Sequence, residues 1–412
     1  MNFSSVNFGI IGLGCRGTDL SRTLSQMDDV NIVAVCDVYQ DRIDRVCSDL
    51  EAAGKCRPAT TLNYHDILTM ESVDAVLITT AWQTHLTIAI EAMKAGKWVA
   101  SEVCGACSVD QCWELVRTHQ ETKVPCMMLE NCNYGREEMA LLNMVQQNVF
   151  GELIHLRCGY GHDLRDEVSM GHINRHYRLD NYMNRNGELY PTHGAGPMSK
   201  LLNINRGNRF VSLVSVATKA RGLNEYVKSK INDVPALAEL NGYNFTQADV
   251  VTTIITCAHG ETLMLTHDTT LPRPYSRFGY VQGTKGLWME ENRGIYLEDR
   301  SENRHAWDSF EPYLKEYEHP LWKWYLEEGI KGSHGGMDYL TLRAFVESFQ
   351  NNTETPLNVY DFATMTAITA LSEQSVATGS MPQPFPDFTN GRWLVPEPAR
   401  SWKYGLDVIP TL

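Results

Sequence analysis

The stretch Gly12-Leu13-Gly14-Cys15-Arg16-Gly17 constrains this chain more than any other. It completes the spacing G-x-G-x-x-G, which by itself is weak because glycine-rich turns are common. Its surroundings make it specific. Residues 7–11 before it are apolar and β-rich, and residues 18–27 after it read as a helix. A second strand, residues 31–36, ends at Asp37, about 20 residues beyond Gly17. In that order the glycines allow the backbone to approach a pyrophosphate, the helix N-terminus offers amide donors, and Asp37 accepts from the adenosine ribose hydroxyls. A carboxylate there repels a 2'-phosphate, and Val38 and Tyr39 bring no cation, so NAD is favoured over NADP; Arg42 reads as a solvated helix residue.

Alternation continues through strand-like residues 75–79, 98–100 and 125–129 and helix-like residues 87–94 and 109–121. That pattern predicts an N-terminal Rossmann domain, a doubly wound parallel sheet, over residues 1–132. The pattern then changes. After a helix at 137–147 come long β-rich runs at 153–160, 210–218, 250–258, 261–268 and 279–290, joined in places by short turns such as His259-Gly260. They predict an α+β domain over residues 133–412, with a mostly antiparallel, open-faced sheet serving substrate binding and homo-oligomerisation. Helices at 337–350 and 360–378 are expected to cover its other face.

Composition narrows the partners. A formal net charge of -14 without a basic cluster argues against nucleic acid and anionic membranes. The chain has no apolar run long enough to span a bilayer and no basic, apolar leader, so a cytoplasmic location is expected. Eleven cysteines are read as reduced, several of them, such as Cys36 and Cys257, within apolar strands. Cys104 and Cys107 have C-x-x-C spacing, but no second pair accompanies them, and His172 and His176 lack the glutamate of a helical zinc motif; no metal site is expected.

The nicotinamide end should lie near Trp82, Gln83, Thr84 and His85, near Glu102 and Val103, and near Asn131, at the C-terminal ends of later strands. From the residues alone, Trp82 fits packing, His85 a helix cap and Glu102 a solvated loop equally well. His162-Asp163 reads either as an oriented acid/base pair or as a structural hydrogen bond.

The two halves together resemble the superfamily of glucose-fructose oxidoreductase and inositol dehydrogenase. Many of its members carry Glu-Lys-Pro where this chain has Glu102-Val103-Cys104, so the catalytic lysine of a plain alcohol dehydrogenase is missing. A narrower resemblance rests on CWELV at 112–116, MMLENCNYGR at 127–136, FGELIH at 150–155 and GYGHDLR at 159–165. It extends through NGELYPTHGAGP at 186–197, LNINRGNRF at 202–210, LPRPYSR at 271–277 and GGMDYL at 335–340. These blocks are similar to those of glycoside hydrolase family 109, the NAD-dependent α-N-acetylgalactosaminidases. The resemblance implies NAD contacts at Gly12, Gly14, Cys15, Arg16, Gly17, Asp37, Trp82, Gln83, Thr84, His85, Glu102, Val103 and Asn131. It implies sugar contacts at Tyr160, Arg178, Tyr190, Pro191, Thr192, His193 and Tyr275. Arg178 is placed by its distance before Tyr190, with Tyr177 where relatives have tryptophan.

Such enzymes depart from the usual pair of carboxylates. Reversible oxidation at carbon 3 of the sugar acidifies the proton on carbon 2, and its removal expels the group on carbon 1. Tyr190 and His193, three apart on a Pro/Gly-rich turn, are the expected acid/base pair, because histidine titrates near neutral pH. Two alternatives stand beside this reading: a net sugar dehydrogenase of the same fold, and a non-catalytic sugar-nucleotide sensor.

Overall fold

The computed structural model describes residues 5–105, 107–397 and 402–409. By contact the chain separates into two units interleaved in sequence: Met1–Met139 with Glu318–Thr364 and Pro398–Leu412, and Ala140–Tyr317 with Met365–Glu397. The expected boundary after residue 132 lies close to the first crossing between these units, at Met139, and the chain returns to the first unit at Glu318.

The first unit contains six parallel strands: β1 (Val6–Ile11), β2 (Val30–Cys36), β3 (Ala59–Thr61), β4 (Ala75–Ile78), β5 (Trp98–Ser101) and β6 (Cys126–Met128). Their order is β3-β2-β1-β4-β5-β6, the doubly wound arrangement whose direction reverses beside β1. Fully buried Phe8, Ile10, Val35, Val76 and Leu77 show why the strands read as continuous apolar runs: both faces are covered. Register brings the strand ends level. Gly12 N donates to Cys36 O at 2.8 Å, Thr79 N to Ile11 O at 2.9 Å, Glu102 N to Ile78 O at 2.8 Å and Leu129 N to Ser101 O at 2.8 Å. The loops bearing the expected cofactor residues therefore lie side by side along one edge.

Helix Met337–Asn351 corrects an expectation. It packs on this parallel sheet rather than on the antiparallel one, with the Phe345 ring 5.5 Å from Phe8 and the Phe349 ring 5.2 Å from Trp98. The amphipathic pattern showed that the helix buries a face, and the complementary aromatic rings determine which sheet receives it.

In the second unit, nine strands form a sheet in the order β14-β13-β12-β11-β7-β10-β9-β8-β15. They are β7 (Leu153–Gly161), β8 (Phe210–Ala217), β9 (Val250–Cys257), β10 (Thr262–Asp268), β11 (Tyr280–Gly283), β12 (Gly286–Met289), β13 (Gly294–Leu297), β14 (Asp308–Ser309) and β15 (Gln383–Pro384). Among the described residues of this sheet, only β7 and β10 pair in parallel. The β-rich run at 279–290 forms a hairpin, β11 and β12, turning at Thr284-Lys285. Its entry is crowded, because a Cβ on Gly283 would fall 2.2 Å from Phe150 O. Alternation is clear in β9, where Val251, Thr253 and Ile255 are fully buried and Ile254 is exposed, so one face of the sheet is covered and the other open. The covered face meets the C-terminal part of helix Val359–Ala377, whose Ser375 Oγ accepts from Ser215 N at 2.9 Å.

Candidate functional site

The glycine turn is shaped for close approach. Gly12 has φ +95°, and a Cβ there would sit 2.7 Å from the Thr79 backbone; a Cβ on Gly17 would sit 2.0 Å from Gly12 O. Gly14 differs: its Cβ would meet only the Arg42 guanidinium, at 3.8 Å, so the backbone is open outward where a phosphate would lie. Helix Cys15–Ser25 starts immediately after, and the amides of its first turn point out of the helix N-terminus. Asp37 is buried and already accepts from Leu13 N at 2.7 Å and Tyr39 N at 3.0 Å, which fixes its carboxylate and leaves lone pairs for hydroxyl donors. These residues fit a dinucleotide. Arg42 is not the solvated residue expected: it stacks on the Tyr39 ring at 4.8 Å and lies 3.6 Å from Asp37 Oδ2.

The next loops carry the remaining expected cofactor residues. Trp82 opens helix Trp82–Lys94 and is buried, whereas Gln83 and Thr84 are exposed. His85 lies inside the helix rather than capping it, with Nε2 3.0 Å from Thr80 O and Nδ1 3.4 Å from Cys104 O. Burial pushes its pKa down; a neutral ring carries one N–H and so donates to one of these two carbonyls, Thr80 O being the closer. Val103 is buried beside Glu102.

Arg16 is not left to a phosphate. Its Nε donates to Glu102 at 2.8 Å, and Nη1 and Nη2 grip Asp338 at 2.6 and 2.7 Å. Asn131 Nδ2 donates to the same Asp338 at 2.7 Å, and His334 and Ser333 also bond it. Burial alone would raise the Asp338 pKa, but its bonds to Arg16 and His334 prevail and hold it below the usual carboxylate range. Asp338 lies within the block GGMDYL, yet nothing in its local sequence signals a partner so far away in the chain.

The second unit gathers the expected sugar residues. Tyr160 lies near the end of β7, and its ring is 4.4 Å from Tyr190, 5.6 Å from His193 and 6.1 Å from Tyr275. Tyr190 precedes helix Thr192–Leu201, so His193 stands in the first turn of a helix rather than on a turn of loop. Tyr190 Oη is 3.4 Å from His193 Nε2. This helix presses onto β7: a Cβ on Gly194 would fall 2.5 Å from Gly159 N. Pro191 and Thr192 are buried at the junction.

Arg178, the residue placed only by spacing, opens helix Arg178–Asn184 and is buried with its guanidinium 5.2 Å from the Tyr190 ring and 6.0 Å from the Tyr160 ring. Glu167 pairs with it at 3.2 Å. His162 does not work with Asp163, which is held by Arg165 at 2.7 and 2.8 Å. His162 Nδ1 instead meets Tyr160 Oη at 2.9 Å. Burial, then the Arg178 charge, lowers the pKa of His162. His267, which the sequence did not single out, lies beside Tyr160 in the β7–β10 register and is wholly buried, its pKa pushed down to about 3 by burial and Arg178. His172 and His176 do not converge; they face Asp180 at 3.3 Å and Glu167 at 3.8 Å. All eleven cysteines, including Cys104 and Cys107, stand as thiols.

Comparison with known proteins divides the chain once, near residue 132. Residues 6–130 match the family model for the oxidoreductase family, NAD-binding Rossmann fold, and residues 134–395 match that for the glycosyl hydrolase 109, C-terminal domain. A glycosyl hydrolase family 109 protein of Stenotrophomonas maltophilia (strain K279a) is 42% identical over 411 residues, covering 94% of this chain and 90% of its own. An alpha-N-acetylgalactosaminidase of Tannerella forsythia is 38% identical over 417 residues, covering 96% and 88%. Among solved structures, levoglucosan dehydrogenase in complex with NADH and levoglucosan superposes with a TM-score of 0.69 at 17% identity, covering 93% of this chain and 100% of that one. That last likeness speaks for the fold alone. Among the described residues no helix is long and apolar enough to cross a membrane.

Proposed function

Because this chain belongs to glycosyl hydrolase family 109, we propose that it releases N-acetylgalactosamine from α-linked glycosides by an elimination and addition assisted by bound NAD. That it acts on glycosides and carries an NAD-binding fold follows from the family; the sugar, the linkage and the mechanism are the proposal. The observation that carries it is the convergence of Tyr160, Arg178, Tyr190, His193 and Tyr275 in one cluster of phenols, an imidazole and a guanidinium. The relative from Tannerella forsythia supports the sugar named.

When bound, NAD supplies a reversible hydride acceptor for carbon 3 of the sugar, which acidifies the hydrogen on carbon 2. Asp37 would hold the adenosine ribose, and the first-turn amides at Cys15, Arg16 and Gly17 would hold the pyrophosphate. His193 takes the carbon 2 proton, with Tyr190 at 3.4 Å orienting its ring. Arg178, a buried cation against two phenol rings, stabilises the negative charge that develops on the sugar oxygen. Missing from the site is the lysine of the superfamily's dehydrogenases, since Val103 follows Glu102. The test is to incubate the protein with a nitrophenyl α-N-acetylgalactosaminide and follow phenolate and NADH together. Phenolate without accumulating NADH is expected; NADH in proportion to sugar consumed would make the protein a dehydrogenase.

A further inference from the structure

Two phenol–imidazole pairs occupy the sugar cluster, and the proposed function uses only one of them. Tyr160 and His162 are joined at 2.9 Å, closer than the 3.4 Å between Tyr190 and His193. Elimination across carbons 1 and 2 moves two protons. One leaves carbon 2, and another must reach the oxygen leaving carbon 1, because an alkoxide is too basic to depart unprotonated near neutral pH. We infer that Tyr160 is the acid that protonates the departing oxygen, and that His162 is a positioning residue acting through it.

The assignment of this pair to the leaving group comes from the backbone. Gly161 and Ser276 exchange two hydrogen bonds of 2.9 Å in an antiparallel bridge, which sets Tyr275 opposite His162. The rings of Tyr275 and His162 consequently meet edge to face at 5.2 Å. Tyr275 is half-exposed, whereas Tyr160 and Tyr190 are buried. The aglycone varies in size and must extend toward solvent, while the sugar ring can be enclosed. The pair beside Tyr275 is therefore the one nearest the departing oxygen. His162 is kept neutral by burial and by Arg178, so its Nδ1–H can donate to the Tyr160 oxygen while the phenol proton faces the substrate.

The inference rests on the elimination reading, with carbon 3 oxidised through bound NAD. His193 takes the carbon 2 proton, and the electron pair of that bond forms the double bond between carbons 1 and 2. The carbon 1 to oxygen bond breaks with its pair on oxygen, which takes the Tyr160 proton. On return, water adds to carbon 1, giving one proton to the Tyr160 phenolate and keeping the other in the new hydroxyl; His193 returns to carbon 2 the proton it took, and carbon 3 regains the hydride and the proton it had lost. Arg178 lies 6.0 Å from the Tyr160 ring and offsets the phenolate charge.

The experiment compares nitrophenyl and methyl α-N-acetylgalactosaminides with the full NAD-loaded protein, since nitrophenolate leaves without an acid and methoxide does not. Tyr160→Phe should raise the kcat ratio of nitrophenyl to methyl substrate by about 100-fold or more. His162→Ala should move it in the same direction by less. Both variants should still exchange solvent deuterium into carbon 2 of the product. A ratio is insensitive to the fraction of folded protein, so partial misfolding cannot mimic the effect. A constant ratio, or loss of exchange in Tyr160→Phe, would overturn the inference while leaving the glycosidase reading in place. Wild-type protein inert toward both glycosides and in exchange would overturn that reading, and this inference with it.

Discussion

The two clusters are built on opposite electrostatic plans. In the cofactor-binding unit, Arg16 donates to both Glu102 and Asp338, and Asn131 donates to Asp338 as well. In the other cluster, one guanidinium, paired with Glu167, lies among phenols and imidazoles that are joined to one another by hydrogen bonds. Saturated ions hold geometry because moving any of them costs a desolvated charge. Neutral phenol–imidazole pairs pass protons because neither form is locked. The largest expected effect exploits this difference. His193→Ala should lower turnover about 100- to 10,000-fold, while NAD affinity, read by fluorescence titration, stays within about twofold of wild type. A parallel loss of NAD affinity would mean that the clusters do not divide the work.

The converse variant belongs to the cofactor unit. Asp338→Asn keeps the side-chain shape but leaves Arg16 with Glu102 as its remaining carboxylate among these partners. Charge-assisted bonds of this kind contribute about 1.5–3 kcal/mol, so NAD should bind roughly 10- to 100-fold more weakly. If Asp338 acts through Arg16, adding Arg16→Gln should cost little more. Unaltered NAD binding in Asp338→Asn would reduce the network to an anchor for helix Met337–Asn351.

What the sequence disclosed follows the same line. The glycine turn and Asp37 could be read because a turn that brings backbone to phosphate makes local demands, met within a few consecutive residues. Arg16 and Asp338 are separated by 322 positions, and a single aspartate at the start of a helix advertises no partner. The residues of the sugar cluster came from resemblance, and their spacing alone gave no chemistry. His162 illustrates why. Two residues apart on an extended chain, Tyr160 and His162 share a face, but which pair meets the aglycone depends on the Gly161–Ser276 bridge between distant segments. Helix Met337–Asn351 was legible as a helix, whereas its choice of sheet depended on Phe8 and Trp98, far away in the chain.

Cofactor choice gives a smaller effect. Asp37 repels a 2'-phosphate, yet the Arg42 guanidinium lies only 3.6 Å from that carboxylate. Replacing Asp37 by Ser should remove the repulsion and leave a cation facing the ribose. The ratio of NADP to NAD affinity should then rise by about tenfold, roughly 1.4 kcal/mol. An unmoved ratio would show that Arg42 is committed to its stack on Tyr39 and that selectivity resides elsewhere in the loop.

The smallest effect concerns stability, where the two units should respond to pH with opposite sign. Asp338 has a depressed pKa, so its contribution is present at neutral pH and lost on acidification. Glu188, in the block that carries Tyr190 and His193, is wholly buried with neither carboxyl oxygen in a well-formed hydrogen bond among the described residues. Burial pushes its pKa from 4.5 up to about 8, the Tyr190 N–H pulling weakly the other way. At neutral pH the folded chain thus holds a proton that the unfolded chain has released. Stability from this group is complete below the unfolded value of 4.5 and declines as pH rises toward the folded value of about 8. Glu188→Gln mimics the protonated form at every pH. It should melt with wild type near pH 4.5 and above it at pH 8, by about 2–4 °C for each 1 kcal/mol recovered. Calorimetry at the two pH values checks this. Coincident melting at pH 8 would mean that the carboxylate finds water or another donor once ionised, and that the second unit tolerates a buried charge as the cofactor unit does.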